Sequence, residues 1–83
     1  MTEADARRLA EQARGAHEVH PDAALTRCER CYIELAAGDP EREVRVRDLL
    51  AWVARFEEGA SFVALALDDR NGTVVRVEKS RSS

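Results

Sequence analysis

Four side chains that commonly bind metals lie within fifteen positions of one another. His17 and His20 form an HxxH pair, and Cys28 and Cys31 form a CxxC pair after seven intervening residues. Structural zinc takes four ligands in a tetrahedron, with imidazole nitrogens at about 2.0–2.1 Å and thiolate sulfurs at about 2.3 Å. Two histidines and two cysteines complete such a set. The spacing therefore predicts one structural zinc ion as cofactor, held by these four residues.

Two other interpretations of the same residues stay open. Cysteine is among the most buried residue types, so both thiols are also compatible with core packing, with the histidines as unrelated loop residues. The third interpretation is a thiol redox pair in which Cys28 and Cys31 form a reversible disulfide. A redox CxxC normally opens a helix, where the thiol pKa is lowered, whereas this pair is expected in the middle of one.

The elements that would position this site are two N-terminal helices. Thr2 and Asp5 have the spacing of a capping box, and an alanine-rich stripe then predicts a helix over residues 3–14. A second apolar stripe predicts a helix over residues 22–37, which ends before the stop signal Gly38-Asp39-Pro40. Its members are Leu25, Cys28, Tyr32 and Leu35. The two cysteines would then lie about one turn apart, and zinc would hold the weak first helix against the second.

The second half of the chain predicts a β-α-β-β order. Residues 43–47 alternate with period two, as in a short strand, and the next helical stripe ends at Gly59. Residues 60–69 suit either a strand or a helix, and the turn at Asn71-Gly72 favours a β-hairpin. The predicted fold class is α+β, with two helices and then β-α-β-β around a small antiparallel sheet. The alternative, with residues 60–69 helical, is a winged-helix-like α-β-α-α-β arrangement.

Length and composition set further bounds. The 83 residues suit a single small domain (1–83), with a helical half (1–38), a mixed half (42–78) and a flexible tail (79–83). No apolar run approaches the roughly 20 residues of a membrane span, so we expect no membrane association. The acidic start lacks the order of a secretory signal, which makes the cytoplasm the expected location. A net charge of −3 is too small to dictate a polyanionic partner.

The sequence predicts protein binding without catalysis. A chain of 83 residues with two clustered histidines has little room to build a site with a nucleophile, a base and an orienting group, so we expect no enzymatic activity. We predict a small adaptor or regulatory module with a protein partner. Trp52 or Tyr32 would anchor that partner if it faces outward, although core packing is the favoured interpretation of each. The edges of a small sheet would also admit a second copy of the chain as a homodimer. A winged-helix-like DNA-binding regulator, with Arg76 on the wing, and a thiol redox sensor are the alternatives.

Overall fold

One helix and four strands make up the structure. The computed structural model describes residues 1–37 and 45–80. The elements are α1 (Glu3–Ala13), β1 (Ala24–Ala37), β2 (Arg45–Glu58), β3 (Ser61–Asp68) and β4 (Val74–Lys79). All strands join one antiparallel sheet in the order β1-β2-β3-β4, each paired with its neighbour in sequence. The α+β class is confirmed, whereas two N-terminal helices and the β-α-β-β order are wrong.

Helix α1 forms as its local signals predict. The Thr2 hydroxyl accepts a hydrogen bond from the Asp5 backbone N–H at 3.2 Å, and the Thr2 N–H donates to the Asp5 carboxylate at 3.4 Å. Hydrogen bonds from Thr2, its side chain first and its backbone second, lower the pKa of Asp5. Ala6 and Ala10 are completely buried against the sheet. Their small side chains let the helix lie close to the strands.

The predicted second helix over residues 22–37 is wrong, because this segment is strand β1. It pairs with β2 from Ala24 to Ala37. The predicted helical half (1–38) therefore contributes a strand that is hydrogen-bonded along its length to the predicted mixed half (42–78). A β-bulge between Leu25 and Arg27 explains the first part of the misleading pattern, whereas Leu35 lies on the open face, away from Cys28. The extra residue places Leu25 and Cys28 in the same core although they are three positions apart, which imitates helical spacing.

The helix predicted after the short strand at 43–47 is also wrong. From Arg45 to Glu58 the chain is one strand, with β1 on one side and β3 on the other. Trp52 and Phe56 are buried on one face and Leu49 and Ala51 on the other. A strand buried on both faces shows no clean alternation, so its apolar residues also fit a helical stripe. Residues 38–44, which include the predicted stop signal and the start of the predicted strand, lie outside the described residues.

The hairpin prediction for the C-terminal segment is confirmed. Strands β3 and β4 pair across a turn in which Gly72 has φ +72° and donates its N–H to the Asp68 carbonyl at 2.8 Å. A Cβ at Gly72 would lie 2.5 Å from Leu9 Cδ1, so glycine also permits contact with α1. The winged-helix-like alternative is wrong, because residues 61–68 are extended and α1 is the single helix of the described chain.

The sheet has two different faces. The helix-side face carries the larger core, in which Phe56, Leu65 and Leu67 are fully buried beneath α1. The open face, which has no helix, carries a smaller cluster formed by Ile33, Leu49, Ala51 and Ala66. No helix within residues 1–37 or 45–80 is long and apolar enough to cross a bilayer.

The last described residues belong to the sheet. The Ser80 N–H donates to the Phe62 carbonyl at 2.9 Å, and the Ser80 hydroxyl accepts from the Phe62 N–H at 2.9 Å. Lys79 also lies opposite Val63 in β4. The first two residues of the predicted tail 79–83 are therefore paired with β3, and residues 81–83 lie outside the described part of the chain.

Candidate functional site

The two cysteines lie on opposite faces of β1. Cys28 is 4% exposed and belongs to the helix-side core, whereas Cys31 is exposed on the open face. Side chains three positions apart in a regular strand project to opposite sides of the sheet. The two thiols of the CxxC motif therefore point away from each other and do not converge on one ion.

The same geometry bears on the redox interpretation. Three residues of strand span about 10 Å, and disulfides need Cα atoms within about 7 Å. Both cysteines are free. An intramolecular disulfide between Cys28 and Cys31 would therefore require β1 to leave its pairing with β2.

The histidines occupy other parts of the molecule. His17 lines a surface depression of about 520 Å³ with Val77 and Lys79, next to β4, the strand at the opposite edge of the sheet from β1. His20 Nδ1 accepts a hydrogen bond from the Asp22 N–H at 3.0 Å and lies 3.3 Å from the Glu58 carboxylate. The predicted zinc set of His17, His20, Cys28 and Cys31 is therefore not brought together.

A different trio does meet the distance criterion for metal ligands. Within the described residues, His20, Asp22 and Glu58 hold potential ligand atoms within 4.8 Å of one another, and all three are exposed. The Nδ1 lone pair of His20 already accepts from the Asp22 backbone. Local turn hydrogen bonding accounts for the position of His20, and the exposed Glu58 carboxylate lies next to the same ring.

The most unusual surface feature is the outer edge of β1. Among the strands that the structure describes, β1 pairs only with β2, so its other side lies at the edge of the sheet. The stretch Arg27–Ala37 is regular, since the bulge precedes it. We call the unpaired side of this stretch the β1 edge. At its centre Tyr32 is 72% exposed, the most exposed large hydrophobic residue described.

The charged residues of β1 fall into two groups. On the open face Arg27 and Glu29 form an ion pair with each other at 3.8 Å. On the helix-side face Arg30 and Glu34 flank Tyr32, and neither forms an ion pair within the described residues. The Arg30 guanidinium lies 5.7 Å from the centre of the Trp52 ring, and Glu34 faces the like-charged Asp48 across the β1–β2 ladder. Both charges are thus available to an external partner.

The open face carries a groove of about 230 Å³ that includes Cys31, Phe62 and Glu78. The Arg55 guanidinium lies 4.0 Å from the centre of the Phe62 ring and also pairs with Glu57 at 3.3 Å. The groove is therefore bordered by arginines that already have internal partners, and none of the described residues lining it is a histidine.

Trp52 and Tyr32, the two aromatic residues considered as anchors, differ in exposure. Trp52 is only 8% exposed, and its Nε1–H donates to Asp69 Oδ1 at 2.7 Å, so it belongs to the core. Tyr32 is exposed. The sequence named both residues, but their exposure depends on whether 22–37 is a helix or a strand.

No protein-family model, curated protein or solved structure matches the chain. The surface that the described residues expose is not uniform. The β1 edge is the part of that surface where exposed aromatic area, unpaired charge and unpaired backbone coincide.

Proposed function

We propose that the protein is a small cytoplasmic adaptor or regulatory module, without catalytic activity, that binds another protein through the β1 edge. The observation that carries the proposal is an eleven-residue regular edge, Arg27–Ala37, with the exposed Tyr32 at its centre. Unpaired N–H and C=O groups along such an edge accept a further strand, and a central aromatic side chain adds contact area. The free thiols suit a reducing compartment.

The two edges of the sheet are not equivalent. Strand β4 has six residues and ends in the charged pair Glu78-Lys79, whereas β1 has fourteen residues. Short strands and charges protect an edge against pairing. The middle of β1, Cys31-Tyr32-Ile33, carries no charge and no proline. Of the two edges, β1 is therefore the one suited to accept another chain.

The arrangement around the nucleophilic side chains supports binding rather than catalysis. A catalytic cysteine needs a base within hydrogen-bond reach to form its thiolate. The described lining of the groove around the exposed Cys31 includes no histidine, the base that usually activates a catalytic cysteine. Burial raises the pKa of the Cys28 thiol, which keeps it protonated and unreactive.

DNA binding is less well supported than protein binding. The winged-helix-like order is not formed, and Arg76, the basic residue of the supposed wing, pairs with Glu78 at 3.3 Å. Binding to a phosphate backbone needs a basic face. Arg27, Arg55 and Arg76 on the open face each have a glutamate partner, so this face offers little net positive charge.

Replacing Tyr32 is expected to abolish partner binding. In a capture experiment from an extract of the source cells, a protein that associates with the wild-type chain should be lost with Tyr32→Lys, because lysine removes the aromatic contact and adds charge to the edge. The matched control is Val77→Lys on β4, which changes the other exposed large hydrophobic side chain of the described residues. Equal capture by wild type and both variants would contradict a binding role for the β1 edge.

A further inference from the structure

We infer that the β1 edge binds a second copy of this chain, antiparallel, with Tyr32 on the two-fold axis. The inference rests on the proposed binding role of that edge and names its partner. The two sheets would join into one through paired β1 strands, a form of isologous contact in which the same patch serves both subunits. Two-fold symmetry restricts the axis to a residue position, and charge complementarity then selects Tyr32.

Two-fold symmetry restricts how β1 can pair with itself. Residues opposite each other in an antiparallel pair project from the same face of the sheet. In a symmetric pair, the two-fold axis must therefore pass between the two copies of one residue, and not between neighbouring positions of the sequence. The described part of the regular stretch of β1 runs from Arg27, after the bulge, to Ala37, and residues 38–44 lie outside the described part of the chain. The midpoint of the described stretch is Tyr32. An axis through Tyr32 is the register that pairs the whole stretch with its copy, Arg27 opposite Ala37.

The charges on the helix-side face agree with this register. It places Arg30 opposite the partner's Glu34, and Glu34 opposite the partner's Arg30, on either side of the two tyrosines. These are the charged residues of β1 that have no ion pair within the described chain, whereas Arg27 and Glu29 already pair with each other. An arginine beside Glu34 would also offset the like charge of Asp48.

Neighbouring registers lose this complementarity. With Cys31 on the axis, Arg30 would face the partner's Tyr32, and Glu34 would face the partner's buried Cys28. With Ile33 on the axis, Glu34 would face Tyr32. In the Tyr32 register, Cys31 faces the partner's Ile33 on the open face, where Ile33 already packs with Leu49. Of these three registers, only the Tyr32 register places opposite charges across the axis on the helix-side face; on the open face it also sets Glu29 opposite the partner's Leu35.

Site-specific cross-linking tests the register. In a Cys31→Ser background, Tyr32→Cys should form an intermolecular disulfide under mild oxidation, because residues opposite each other in an antiparallel pair have Cα atoms about 4.5–5.5 Å apart. The matched control, Glu29→Cys in the same background, should stay monomeric on a denaturing gel. The two copies of residue 29 would be offset by six residues, or about 20 Å. Cross-linking at residue 29 but not at residue 32 would overturn the register.

Charge reversal tests the interface independently. Arg30→Glu would place two like-charged pairs across the axis, and we expect about a tenfold or larger rise in the dimer dissociation constant, measured by sedimentation equilibrium. The double variant R30E/E34R restores opposite charges and should bind within about threefold of wild type. The lost contact between Arg30 and Trp52 is not restored in the double variant, so recovery reports the intermolecular pairs. Thermal melting of both variants verifies the fold.

Three outcomes separate this inference from the proposed function. Dimers that cross-link at residue 32 and recover in the double variant support both. A chain that stays monomeric at high concentration, yet captures a different protein in a Tyr32-dependent manner, overturns the homodimer and leaves the binding role in place. A monomer with no Tyr32-dependent partner overturns both.

Discussion

Phe56→Ala is expected to remove about a quarter or more of the free energy of unfolding. Phe56 is fully buried in the helix-side core, with the Arg14 guanidinium 5.0 Å from the centre of its ring. Truncation of a buried phenylalanine costs about 3–5 kcal/mol. A chain of this length has a free energy of unfolding of only about 4–12 kcal/mol. Urea denaturation followed by the fluorescence of Trp52 measures the loss.

Phe62→Ala is the matched control for this experiment. It removes the same atoms from the partly exposed open face, where the ring contacts Arg55. We expect less than half the loss of stability found for Phe56→Ala, because less buried area and a smaller cavity are involved. Equal losses at the two positions would mean that the helix-side core does not dominate the stability of the fold.

The two thiols are expected to differ in reactivity by a factor of about 100 or more. An aromatic disulfide reagent should modify one cysteine per native chain quickly, and this should be Cys31, which is exposed. Burial raises the pKa of Cys28, and the smaller effect of Arg7 acts in the opposite direction. The Cys28 thiol should react only when the chain opens. Cys31→Ser should therefore abolish the fast phase, and Cys28→Ser should leave it intact.

The raised pKa of Cys28 also fixes the sign of a pH dependence. The unfolded chain releases this proton near the ordinary thiol pKa, while the folded chain retains it to higher pH. Stability should therefore fall as pH rises from the ordinary thiol pKa towards the raised one, and Cys28→Ala should remove that part of the slope. Equal labelling rates for both cysteines in the native protein would contradict their placement on opposite faces. A chelator that made both thiols reactive at the same time would also contradict it, and would favour a metal bound by both.

Elements with strong local signals could be predicted from the sequence. The Thr2–Asp5 capping box marks the start of α1, and Asn71-Gly72 marks the β3–β4 turn, because each signal depends on a few adjacent residues. The start of α1 and the C-terminal hairpin were therefore predicted correctly.

Strands β1 and β2 could not be predicted in this way. Their extended state depends on pairing with each other, since Leu25 lies opposite Phe56 and Leu35 opposite Arg47. The bulge gives β1 a false helical spacing, and burial of both faces hides the alternation in β2. The zinc prediction depended on the helix, because CxxC side chains share a side on a helix and diverge on a strand.

Residue-resolved amide hydrogen exchange of β1 tests the central claim most directly. In dilute protein the amides of Arg27–Ala37 that face β2 should be protected, while those between them exchange quickly. When the concentration is raised to form the complex, the fast amides of β1 should become protected, and the outer amides of β4 should not change. Binding through this edge would be contradicted if the outward amides of β1 still exchanged quickly at concentrations where the complex has formed. Protection of every amide over residues 22–37, as in a helix, would also contradict it.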